Sequence, residues 1–263
     1  MPTPLALPDP STVTLAHAPL QLVVCQVRHD RNLAVADGGR VLAIREQLGI
    51  YPRIEETAQQ EIGLVIGPTG AQPLGGGGQQ KGWRLLSEDG AWTVALLPDF
   101  FALECTGYTS WTEFRERVRG LVDAVLAHLQ PTIELRLGLR YVDRISLPVI
   151  KEPRGWSGYI NEHFLGPALD QQVGPALSAL QQLVQLQGPD GVQVLLRHGT
   201  QLEQPSGEWP YVLDTDCFRG DSRGLEVDSL MQSADALHKL ALQVFQAAIT
   251  PQLHELLAEQ EDS

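Results

Sequence analysis

The sequence predicts an α+β fold made of two tandem, pseudo-symmetric units, each an antiparallel sheet with helices on one face. Three observations predict it. Runs rich in β-branched and aromatic residues are joined by hairpin-type turns rather than alternating one for one with helices, which favours antiparallel pairing. Two long helices follow groups of such runs: Trp111, Phe114, Val118, Leu121, Val122, Val125 and Leu129 repeat at three and four in the first, and Leu237, Leu240, Val244, Phe245 and Ala248 in the second. The order strand, short helix, strands, long helix occurs twice, and CQVRHD at 25–30 is similar to LGLRYVD at 137–143, aligning Arg28 with Arg140.

Residues 1–16 hold four prolines and little periodicity and read as a flexible arm. The first unit spans 17–131. QLVVCQVRHD, 21–30, is its opening strand, and VLAIREQL, 41–48, a short helix after the Asp37-Gly38-Gly39 turn, ended by Pro52. EIGLVIG, 61–67, is a strand, followed by a flexible 67–82 loop with glycines 75–78 at its tip. WRLLSED, Gly90 and AWTVALLP form a hairpin signature, and FFALECTGY, 100–108, another strand. Ser110 and Glu113 stand at capping-box spacing before the first long helix, which Pro131 ends.

The second unit spans 132–258 and opens with RLGLRYVDRI, 136–145. A short helix is expected over 157–165, and 176–187 is compatible with helix or strand. VQVLLRH, 192–198, and YVLDTDCF, 211–218, read as a strand pair. The last helix is expected from Ser233 to Leu257 with a kink at Pro251, leaving a 259–263 tail. A tandem layout of this kind is like that of GyrI-like and TATA-box-binding-protein-like folds, with a cleft expected at the seam; fold layout alone does not fix function.

The chain has 263 residues and is 43% hydrophobic, enough to bury a sizeable core. Its formal charge of −13 repels phosphate backbones at long range and counts against nucleic acid as a partner. The three cysteines, Cys25, Cys105 and Cys217, stand alone in predicted strands and read as buried thiols of a reducing compartment. The start lacks the pattern of a signal peptide, and no run approaches a membrane span, so a cytoplasmic location is expected.

APLQLVVCQVRHD, TGYTSWTEF and GLRYVDRI together resemble the sporadically distributed bacterial conserved-hypothetical family of unknown function. That family's pattern has an Arg-plus-aromatic pair ending an early strand, a Tyr-x-Ser-Trp-x-x-Phe helix start and a Gly-Leu-Arg-Tyr-Ile-Asn-Arg-Ile strand. The matching positions here are Arg28 with His29, Tyr108-Ser110-Trp111-Phe114, and Gly138 to Ile145; His29 replaces the aromatic and Asp143 the Asn. The resemblance spans about 18–255. It implies no activity, cofactor or substrate, and its sporadic occurrence suits an accessory role such as defence or toxin–antitoxin function.

The strand 136–145 carries the main candidates. Leu137, Leu139, Tyr141, Asp143 and Ile145 share one face, and Arg136, Gly138, Arg140, Val142 and Arg144 the other. Guanidinium groups on a central strand must reach solvent or carboxylates. Either Asp214, Asp216 and Asp228 pair with them, or they clamp an anion with their donor forks. Asp143 is expected at the strand end near solvent, the other reading being burial with a bonded partner; Tyr141 is core or lines a cleft. The candidate ligand-binding set is therefore Arg28, Arg136, Arg140, Tyr141, Asp143 and Arg144. Asp214 and Asp216 share a strand face and are weak metal candidates, better read as arginine partners. The glycine-rich segment lacks Gly-Lys-Ser/Thr, and GxSxG and HExxH are absent, so no cofactor or catalytic residue is assigned. The functional expectation is an accessory protein binding a small anionic ligand or a protein partner in the cleft between units, rather than an enzyme; homo-oligomerisation is open. The alternatives are an enzyme with an Arg/Asp/Tyr site in that cleft and a nucleic-acid-associated defence protein.

Overall fold

The computed structural model describes residues 2–11, 15–60, 63–67, 70–74 and 79–258. The strands are β1 (Leu20–His29), β2 (Arg53–Gln60), β3 (Gly63–Gly67), β4 (Gly70–Leu74), β5 (Gln79–Leu86), β6 (Trp92–Leu96), β7 (Phe100–Cys105), β8 (Ile133–Ile145), β9 (Ala179–Gln187), β10 (Gln193–Gln201), β11 (Tyr211–Arg219) and β12 (Arg223–Gly224). The helices are α1 (Gly38–Leu48), α2 (Trp111–His128), α3 (Val227–Ala248) and α4 (Pro251–Ala258). Among the described residues, ten strands form one antiparallel sheet in the order β2-β5-β6-β7-β1-β8-β11-β10-β9, with β12 beside β8; β3 and β4 pair separately. The fold is mixed helix and antiparallel sheet, as the strand-and-helix pattern implies.

Alternation along the central strands separates two faces. Val23, Cys25 and Val27 of β1, Leu137, Leu139 and Tyr141 of β8, and Leu213 and Cys217 of β11 are buried, and they join a core with the apolar stripes of α2 and α3. The opposite face of β8 carries Arg136, Arg140 and Arg144, all part-exposed. The three cysteines are free and buried; burial pushes Cys25 and Cys217 up to about 12, so both stay thiols.

Local chemistry sets the helix ends. Asp37 caps α1 by accepting from the Gly39 amide, and Gly49 ends it with φ of 71°, a left-handed conformation that glycine adopts without strain. Ser110 caps α2 by accepting from the Glu113 amide. Glu113 itself does not close the predicted capping box: its carboxylate takes Thr109 and Arg117 instead.

Several elements differ from the sequence expectation. β2 falls where no strand is predicted, because RIEETAQQ lacks an apolar alternation; it is an edge strand. β4 falls within the predicted loop, whose four-glycine tip lies outside the described residues, as do the first residue and the 259–263 tail. The ambiguous 176–187 segment yields β9. The expected 157–165 helix is replaced by short 3-10 turns, four of them between Pro153 and Ala176, where prolines and glycines interrupt any α-helical ladder. The last helix begins earlier, at Val227. It is broken rather than kinked: Ile249 is extended, and Pro251 opens α4.

Candidate functional site

The sheet places the sequence-derived candidates on opposite sides. On the outer face, Arg140 donates from Nε and Nη2 to the two carboxylate oxygens of Asp214 at 2.6 and 2.8 Å. Arg197 of β10 approaches the same carboxylate at 3.4 Å. Arg136 donates to Asp216 at 2.7 Å and lies over the Phe218 ring at 4.4 Å. Gly138 makes room for that path, since a Cβ there would stand 2.3 Å from Arg136 Nη1. Arg144 donates to Ser146 Oγ at 2.8 Å and to Glu203 at 2.6 Å. Arg28 bonds Asp99 at 3.0 Å. It stands opposite Arg136, whereas Arg140 stands opposite Val24. Asp214 and Asp216 thus serve arginines, while Asp228 bonds Arg119 of α2. Among the described residues, no group of three or more His, Cys, Asp or Glu side chains could hold a metal. A broad, open depression of about 640 Å³ lies beside Arg197 and Asp214, over β9, β10 and β11.

The inner face holds Tyr141 and Asp143, and here a cavity of about 230 Å³ opens. Its walls come from the segment before β1 (Leu15, Ala18, Pro19), Leu20, the β7–α2 connection (Tyr108, Thr109), Thr215 of β11, and His238, Ala241, Leu242 and Phe245 of α3. The sequence predicts Asp143 near solvent or bonded. It is instead only 7% exposed, and its carboxylate has no hydrogen-bond or ion-pair partner among the described residues. The reason lies in the register: its cross-strand neighbours are Leu20 on β1 and Leu213 on β11. Burial pushes its pKa up to about 7.

Around this carboxyl lies a positioned aromatic cluster. The Tyr141 hydroxyl and His238 Nδ1 are 2.7 Å apart. His238 stacks on Trp111 with ring centroids 4.3 Å apart and planes 7° from parallel. Trp111 Nε1 donates to Asp235 at 2.9 Å, and Arg115 grips both oxygens of Asp235 at 2.7 and 2.9 Å. Burial holds His238 down to about 4, against the opposing charge of Asp235, so it is neutral at physiological pH. Burial also holds the Tyr108 phenol up to about 12. The lining therefore offers one carboxyl that titrates near neutrality, two phenols, two threonine hydroxyls and a neutral imidazole inside a mostly apolar wall.

Sequence reasoning reached Tyr141 and Asp143 but not His238, Asp235 or Thr215. A signal for His238 was present: it continues the Ala234, Ala241, Phe245 line, so a histidine interrupts the buried stripe of α3. No family model matches the chain, and no curated protein is significantly similar to it.

Proposed function

We propose that the chain is a binding protein for a small molecule, held in the cavity between β8, α3 and the β7–α2 connection. The observation that carries this is Asp143: a buried carboxylate, unpaired among the described residues, facing a cavity lined by Tyr108, Tyr141, Thr215 and His238. Burial of such a group without a partner is costly, and the fold offsets part of that cost by raising its pKa to about 7 rather than by a bond. A ligand is the natural compensation. The arginine face offers no comparable vacancy, since Arg28, Arg136, Arg140 and Arg144 each hold an intrachain carboxylate.

We read the architecture as two tandem units sharing one sheet. The order of elements supports this: β1 to α2, then β8 to α3, with β1 and β8 adjacent and each flanked by the last strand of its own group. The cavity then lies at their joint, taking Tyr108 from the first unit and Tyr141, Asp143 and His238 from the second. Three free thiols suit a cytoplasmic setting.

A second reading has its own support. A carboxyl titrating near 7 beside a phenol–imidazole pair is suited to general acid–base work, so the bound molecule is a substrate in that reading. The test begins with binding. Ligand-observed NMR of the full chain against molecules of about ten non-hydrogen atoms or fewer should find ligands that Ala241→Phe, which fills the cavity, abolishes. Arg140→Ala should leave them bound. Ligands that survive Ala241→Phe, or depend on Arg140, overturn the assignment to this cavity.

A further inference from the structure

The cavity's walls say what kind of molecule it accepts. Neither lysine nor arginine lines it, and the titratable groups facing Asp143 are Tyr108 from the β7–α2 connection, Tyr141 from its own strand and His238 from α3. The phenols and the neutral imidazole bring no positive charge. The Thr215 hydroxyl also has no side-chain partner among the described residues. It stands opposite Tyr141 in the sheet, two residues from the cross-strand neighbour of Asp143. Leu20, Ala241, Leu242 and Phe245 supply apolar surface.

We infer that the cavity selects a small primary amine, its ammonium paired with the Asp143 carboxylate and its apolar body against Tyr108, Tyr141 and Phe245. This rests on the small-molecule reading above and narrows it to a chemical class. An ammonium supplies both the charge and the donors that a buried carboxylate lacks, and a desolvated ion pair is far stronger than one in water. Thr215 gives the ammonium a second acceptor. A carboxylate or phosphate ligand would meet like charge with no basic side chain to offset it. At roughly 30 Å³ per water-sized volume, 230 Å³ admits a molecule of about eight non-hydrogen atoms. The segment before β1 walls one side, which favours a free small molecule over the side chain of a partner protein.

Calorimetric titration of the full chain at pH 8 with benzylamine, benzyl alcohol and benzoate separates the possibilities. Benzylamine should bind at least about tenfold more tightly than benzyl alcohol, as expected when a buried charge gains its partner, and benzoate should be the weakest. Asp143→Asn should erase the advantage of the amine and leave benzyl alcohol unchanged. Thr215→Val, which keeps the side-chain shape, should lower benzylamine affinity by a smaller factor and serves if Asp143→Asn does not fold. Equal affinity for amine and alcohol in the unaltered chain overturns the amine assignment; if Ala241→Phe still abolishes both, the small-molecule reading stands without it. No binding of any probe at millimolar concentration overturns both.

Discussion

Two rows of side chains on the same three strands, one on each face of the sheet, have opposite electrostatic fates. On the outer face Arg140 stands between Val24 and Asp216 and reaches Asp214 with both donors. On the inner face Asp143 stands between Leu20 and Leu213 and reaches nothing among the described residues. Strand geometry alone alternates the faces; what differs is whether the neighbouring strands bring a partner. Saturated charges hold strands in register. A carboxyl buried without a partner titrates late and costs free energy once ionised, and that is where a binding role is to be sought.

The largest expected effect tests the most buried saturated pair, which lies on the same inner face as Asp143. Arg219 at the end of β11 grips both oxygens of Glu134 on β8 at 2.9 and 3.2 Å, and the glutamate is only 1% exposed. Glu134→Ala leaves a buried guanidinium unpaired and should cost about 3–5 kcal/mol in urea unfolding. The double variant Glu134→Leu, Arg219→Met should recover most of that loss. A double variant as unstable as the single would show that the pair itself, and not the orphaned charge, carries the stability. The contrast with Asp143 would then lose its basis.

The next test concerns Asp143. Its carboxyl binds a proton in the fold up to about pH 7, but in the unfolded chain only up to its ordinary value of 3.8. Between those limits the folded state holds more protons, so this group makes stability fall as pH rises, with no further change above about 7. His198 and His238, both held down to about 4 by burial, act oppositely: between 4 and 6.5 the unfolded chain binds more protons, and stability rises with pH. Asp143→Asn removes only the first effect. Its effect on unfolding free energy should be more favourable at pH 8 than at pH 4 by about 4 kcal/mol, because burial changes the proton affinity of the carboxyl about a thousandfold and each factor of ten is worth roughly 1.4 kcal/mol. An identical effect at both pH values would mean that the carboxyl has a partner after all.

How far the sequence foretold this contrast follows from the same geometry. Alternation along 136–145 assigns every side chain to its face, and the apolar stripes of α2 and α3 are readable because period-3.6 burial is written in composition. The acids opposite the arginines, Asp214 and Asp216, were also legible as partners. What a single strand does not encode is its register against the next. One residue of slip exchanges the faces, and slips of two residues exchange partners within a face. The similarity that aligns Arg28 with Arg140 therefore says nothing of cross-strand neighbours, which are Arg136 for Arg28 and Val24 for Arg140. Asp143 could not be seen as unpaired until Leu20 and Leu213 were known to flank it. Asp235 joined the site through the packing of α2 on α3, and His238 also through that of α3 on β8, which no local pattern specifies.

The smallest expected effect divides the saturated face itself. Arg140 makes two short bonds to a carboxylate that is only 10% exposed, while Arg28 makes one bond at 3.0 Å and is 50% exposed. Water and salt screen the Arg28–Asp99 pair, and holding a long side chain for a single bond gives back most of the attraction. Arg140 is itself 43% exposed, so its pair is also worth less than the buried one at Glu134. Double-mutant cycles should give a coupling of about 1 kcal/mol for Arg140–Asp214 and no more than about 0.3 kcal/mol for Arg28–Asp99. The Arg28 coupling should vanish at high salt. Equal couplings would mean that exposure does not grade these pairs.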